Sequence, residues 1–124
     1  MNTSPINKFL AEHFFSDEFS YSQVRSRPRI VCMSGLSLSV QADTDKYCAP
    51  KETFCPNATQ KYTHVEVGFP NQKIDEIIDW AEDTLQPTET IYAYVPVSIL
   101  ERVIESHGGL DKGKIHINNF INEL

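Results

Sequence analysis

The spacing of apolar residues shifts along the chain from a helical period to a period of two and back. Thr3 to Phe15 predicts a short helix. Ser4 can cap it, Pro5 suits a first turn that needs no N–H, and Ile6, Phe9, Leu10, His13 and Phe14 fall on one face. The polar run from Ser16 to Ser26 predicts a loop. Strand patterning starts at Arg29 and runs through Met33 to the turn signal Ser34-Gly35. Leu36, Leu38, Val40 and Ala42 then alternate with Ser37, Ser39 and Gln41, so the two runs predict a hairpin.

Asp43 to Lys61 predicts a long surface loop. A third strand follows at Tyr62 to Phe69, with Thr63, Val65 and Val67 on one face. Ile74, Ile77, Ile78 and Ala81 give a helical face, with acids around it. Glu89 to Val95 predicts a fourth strand, placing Ile91, Ala93 and Val95 opposite Tyr92 and Tyr94. Pro96 opens a helix that buries Ile99, Leu100, Val103 and Ile104 and stops at Gly108-Gly109. In the tail from Lys114, the positions of Ile117, Phe120, Ile121 and Leu124 favour helix. This order predicts an α+β fold, a mostly antiparallel sheet with helices packed on one side. Residues 1–28 form a helical appendage and lead, and residues 29–124 a single domain.

The 124 residues suffice for one core, and 40% hydrophobic with 23% charged residues is an ordinary globular mixture. A net charge of −6 disfavours a long nucleic acid as partner, although a few local cations still suffice for a small anion. No apolar run approaches the ~20 residues that span a membrane, and no secretory signal opens the chain. Cys32, Cys48 and Cys55, an odd count, predict reduced thiols. Cys48 and Cys55 are too far apart for the tight ligand pairs of zinc sites, so neither metal nor other cofactor is expected.

His13, His64, His107 and His116 sit in separate elements, and no nucleophile elbow is present. His64 and Glu66 share a strand face, an arrangement that suits acid–base chemistry but equally a solvated sheet face. The acids from Asp75 to Asp83 lack a calcium-loop pattern and fit an exposed helix face. Arg25, Arg27 and Arg29 with Lys46 and Lys51 form the basic signal. Either the arginines fork onto phosphates or they pair with the acidic helix. Tyr47, Tyr62, Phe69, Tyr92 and Tyr94 sit at strand ends or on polar strand faces. Flat rings beside cations suit a nucleotide, and they equally suit a second core or an oligomer interface.

Several stretches, in their order, carry a family resemblance. They are Leu38-Ser39-Val40-Gln41-Ala42, Tyr47-Cys48-Ala49-Pro50-Lys51, Tyr62 with Val65-Glu66-Val67-Gly68-Phe69-Pro70, Ala81-Glu82-Asp83, Tyr94-Val95-Pro96 and Ser106-His107-Gly108-Gly109. Between Arg29 and Gly109 the chain resembles the Thoeris anti-defence family of phage sponge proteins. The resemblance implies a homo-oligomer, a dimer or larger, that binds cyclic ADP-ribose-type immune signals without cleaving them. Some members also bind cyclic oligonucleotides. It implies the cytoplasm of an infected bacterium as the place of action, and basic and aromatic side chains as the ligand's holders. The family pattern has arginine where this chain has Lys51, which keeps the charge but loses the bidentate fork.

The expected ligand site comprises Arg27, Arg29, Tyr47, Lys51, Phe69 and Asn71, gathered at one edge of the sheet. A homo-oligomer is also expected because Phe14 and Phe15 cannot both face inward on one helix. The rival reading is an interaction protein that inhibits a host protein through its acidic surface.

Overall fold

The computed structural model describes residues 4–14 and 27–115. Thr3, Phe15, the segment from Ser16 to Ser26 with Arg25, and the tail after Ile115 lie outside the described residues. Helix α1 (Pro5–Glu12) is followed by strands β1 (Ile30–Val31), β2 (Ser37–Gln41) and β3 (His64–Gly68). A 3₁₀ helix (Asp75–Trp80), strand β4 (Ile91–Pro96) and helix α2 (Val97–Ser106) follow among the described residues. The strands form one antiparallel sheet in the order β1-β2-β3-β4, so the α+β fold follows from consecutive hairpin-like pairings.

Alternation decides which face is buried. Leu38, Val40, Val65 and Val67 are fully buried and meet the helices through Ile77, Leu100 and Val103. Ser37, Ser39, His64 and Glu66 alternate with them on the opposite, partly exposed face, where Gln41 is buried with its side-chain amide bonded to the Arg27 backbone. β4 departs from the expected alternation. Val65 pairs with Val95 and Val67 with Tyr92, so Ala93 and Tyr94 together oppose Glu66 in a bulge. The extra residue turns Tyr92 inward, where it is wholly buried and donates its hydroxyl to the Pro87 carbonyl oxygen. Tyr94 is left outside.

The expected helix after Pro70 is a 3₁₀ helix instead. Ile74 and Ile77 are buried and Trp80 half-buried, a spacing of three that a three-residue turn stacks in line. Asp75, Glu76 and Asp79 are exposed on its outer side.

Helix α1 is not an appendage. Ile6, Phe9 and Leu10 are 1–2% exposed and belong to the same core as Leu38 and Val65. Ser4 caps the helix by accepting from the Asn7 N–H, and it donates to Glu101 of α2, which also accepts from the Ile6 N–H at 3.1 Å. The buried Asn7 amide accepts from the Tyr62 N–H at 2.8 Å and donates to the Tyr62 carbonyl at 3.1 Å, tying α1 to the start of β3. Phe14 is 8% exposed, which removes it from the argument for an oligomer; Phe15 is not described.

Candidate binding face of the sheet

Exposed aromatic residues gather at the two ends of β3, and each group has a cation beside it. At the His64 end, the chain leaves β2 at Ala42 and returns over the open face. Ala49 takes up the ladder next to His64, with Ala49 N–H donating to the His64 carbonyl at 3.0 Å and His64 N–H to the Ala49 carbonyl at 3.2 Å. The peptide bond between Ala49 and Pro50 is cis. Tyr47 is pinned from two sides: its N–H donates to Glu66 Oε1 at 3.0 Å, and its carbonyl accepts from Tyr94 N–H at 3.1 Å. The rings of Tyr47 and Tyr94 lie 6.0 Å apart at 53°, 41% and 43% exposed. Lys51 Nζ sits 5.4 Å from the Tyr47 ring centroid and donates to the Lys46 carbonyl.

At the Gly68 end stands Phe69, 51% exposed. Arg29 Nη2 donates to the Phe69 carbonyl at 2.7 Å and to the Ser37 carbonyl at 2.9 Å, and Nε donates to Ser37 Oγ. Partial burial pulls the Arg29 guanidinium below the usual arginine range. Asn71 accepts from the Ser37 N–H and donates to the Gly35 carbonyl, so it latches this turn to the β1–β2 hairpin.

The expected single edge therefore separates into two. β2 and β3 run antiparallel, with Gln41 opposite Glu66 and Ser39 opposite Gly68. That pairing sends the loop after Ala42 to one end of β3 and the Phe69 turn to the other. Tyr47 and Lys51 remain together, as do Arg29, Phe69 and Asn71. Arg27 belongs to neither group: it is 4% exposed and bonds inward to the carbonyls of Leu10 and Ala42. Its expected place among ligand-binding residues is corrected to a core tie. Sequence reading left Tyr94 out of the site, since nothing in the pattern shows that the loop after Ala42 lays Tyr47 against it.

Phe69 and Tyr94 both have left-handed backbones, at φ 49° and 57°. Such a conformation costs an L-residue roughly 1–2 kcal/mol, and glycine little. At each position the glycine variant is expected to be more stable than the alanine variant by about 1 kcal/mol, the reverse of the usual order. Urea denaturation of the four variants checks this.

His64 and Glu66 are both engaged. His64 Nδ1 lies 2.8 Å from Thr63 Oγ1, and Glu66 anchors Tyr47. Cys32 and Cys48 are buried and Cys55 exposed, all as free thiols, and burial pushes the first two up from the usual thiol range. No described helix is long and apolar enough to cross a membrane. Compared with protein-family models, curated proteins and solved structures, the chain matches none.

Proposed function

We propose that this protein binds and sequesters a cyclic nucleotide signal of the glycocyclic ADP-ribose type without cleaving it. It would act as a phage anti-defence sponge in the cytoplasm of an infected bacterium, assembled as a homo-oligomer. The observation that carries this reading is the pair of half-exposed rings, Tyr47 and Tyr94, with Lys51 5.4 Å from the Tyr47 ring centroid. Rings of this kind can stack on a base, and an ammonium can hold a phosphate. Hydrogen bonds from strands fix the backbone on both sides of Tyr47, so little ordering cost remains on binding. Phe69, half-exposed, stands at the other end of β3, its backbone carbonyl held by the Arg29 guanidinium.

Calorimetric titration of glycocyclic ADP-ribose tests this, with mass spectrometry of the ligand released on denaturation. Wild type is expected to bind and to return the ligand intact. Tyr47→Ala and Lys51→Ala are expected to weaken binding by about ten- to a hundredfold, the worth of one stacked base or one charge-assisted contact. Equal binding by both variants would move the site elsewhere, and a cleaved ligand would make the protein an enzyme. Failure of wild type to bind any cyclic nucleotide would end the sponge reading. Its successor would then be inhibition of a host protein through the acidic surface, which the exposed Asp75, Glu76, Asp79, Glu82 and Asp83 support.

A further inference from the structure

Glu66 stands at the ring pair with half of its carboxylate unused. It leaves β3 on the partly exposed face, opposite the bulge of Ala93 and Tyr94. Oε1 accepts from the Tyr47 N–H at 3.0 Å, and the Tyr47 carbonyl accepts from the Tyr94 N–H at 3.1 Å, so the carboxylate and both ring-bearing residues belong to one hydrogen-bonded chain. Among the described residues no hydrogen bond or ion pair reaches Oε2, and every buried side-chain oxygen has a partner, so Oε2 opens to solvent. We propose that Glu66 Oε2 accepts a hydrogen bond from the amino group of an adenine stacked on Tyr47, which makes Glu66 the residue that selects the base. The proposal rests on the sponge reading and names what that site reads.

Chemistry, position and number narrow the partner of this oxygen. A carboxylate at neutral pH only accepts, so it repels a phosphate and the carbonyl oxygen of a base, and it needs an N–H or O–H opposite it. Position favours the base. Glu66 is bonded to the backbone amide of the residue whose ring takes the base, so its free oxygen meets the edge of a stacked base. Aromatic sites read unpaired bases in this way, by stacking on the face and hydrogen bonding at the edge. Number favours adenine. Guanine offers a carboxylate two donors side by side and fills both oxygens, whereas Oε1 is already taken by the Tyr47 N–H. One free acceptor fits the single amino group of adenine. Lys51 then answers the phosphates and Glu66 the base, which separates affinity from selectivity within one site.

Calorimetric titration of the full chain with glycocyclic ADP-ribose and with its deaminated analogue, which carries hypoxanthine, tests the proposal. Wild type is expected to bind the amino ligand about ten- to a hundredfold more tightly, the worth of a hydrogen bond to a charged group. Glu66→Gln supplies the second arm. The Tyr47 N–H needs an acceptor, so the amide oxygen of the new side chain turns to it and the NH₂ group faces the base. The preference for the amino ligand should then fall at least about tenfold, because that NH₂ group meets a donor in adenine and an acceptor in hypoxanthine. The wild-type comparison does not depend on the variant's folding. Equal binding of the two ligands by wild type would overturn the proposal and leave the sponge reading in place. A preference that Glu66→Gln keeps unchanged would do the same, since Glu66 would then only hold Tyr47. Failure of wild type to bind either ligand would end both.

Discussion

Arg27→Ala is expected to destabilise the protein by about 3–5 kcal/mol while leaving the ligand affinity of the folded fraction unchanged. The guanidinium is spread over backbone oxygens. Nε and Nη2 donate to the Leu10 carbonyl at 3.1 and 2.9 Å, and Nη1 donates to the Ala42 carbonyl at 2.8 Å. Its backbone is held as well: the N–H donates to Gln41 Oε1, and the carbonyl accepts from Gln41 Nε2. Phe14 lies 5.8 Å beneath the guanidinium carbon. Burial pulls the group below the usual arginine range, opposed by the fields of Tyr62, Asp43 and Cys48. It stays charged and acts as a three-pronged donor between the end of α1 and the end of β2.

Truncation leaves two carbonyls in the interior without these donors, at roughly 1–3 kcal/mol each, and opens a cavity under Phe14. The melting temperature should fall by about 10–20 °C. Arg27→Met keeps most of the volume and should recover only the cavity part. Arg27→Lys should fall between, because one ammonium cannot reproduce the planar fork. Thermal and urea denaturation read the series, and the titration described above supplies the second axis. A stable Arg27→Ala protein that binds ligand poorly would show that this guanidinium faces the ligand.

The fate of Arg27 shows where sequence reading stops. Arg25, Arg27 and Arg29 are identical side chains two residues apart, and parity does not say which of them is covered. Coverage is decided by α1, whose Leu10 carbonyl lies over Arg27, a contact seventeen positions away in the chain. The hairpin, β3 and α2 were legible because each holds a strict period of two or 3.6 over several residues. The bulge in β4 was not, since one extra residue opposite Glu66 leaves no trace in composition, yet it turns Tyr92 inward while Tyr94 stays outside. The same blindness put Tyr47 and Phe69 at one edge. Both segments flank the right strands, but antiparallel pairing of β2 with β3 carries them to opposite ends.

Deleting residues 1–14 is expected to abolish cooperative folding. The sequence pattern sets this helix apart from the domain, whereas the structure makes it one wall of the core. Ile6, Phe9 and Leu10 are each all but inaccessible, and burying such side chains contributes roughly 1.5–3 kcal/mol apiece. Asn7 adds two hydrogen bonds to Tyr62, and Leu10 accepts from Arg27. Without the helix, the Tyr62 N–H and the Arg27 guanidinium lose buried partners at about 1–3 kcal/mol each or more. The sum, on the order of 7–15 kcal/mol, equals the whole net stability of an ordinary domain. The shortened chain should give no sharp thermal transition and should bind a hydrophobic dye as a loosely packed state does. Adding a synthetic peptide of residues 1–14 should restore the transition, with a midpoint that rises with peptide concentration by mass action. A truncated chain that melts cooperatively at the wild-type temperature would return α1 to the role of an appendage, and the Asn7 and Arg27 contacts would then carry little of the stability.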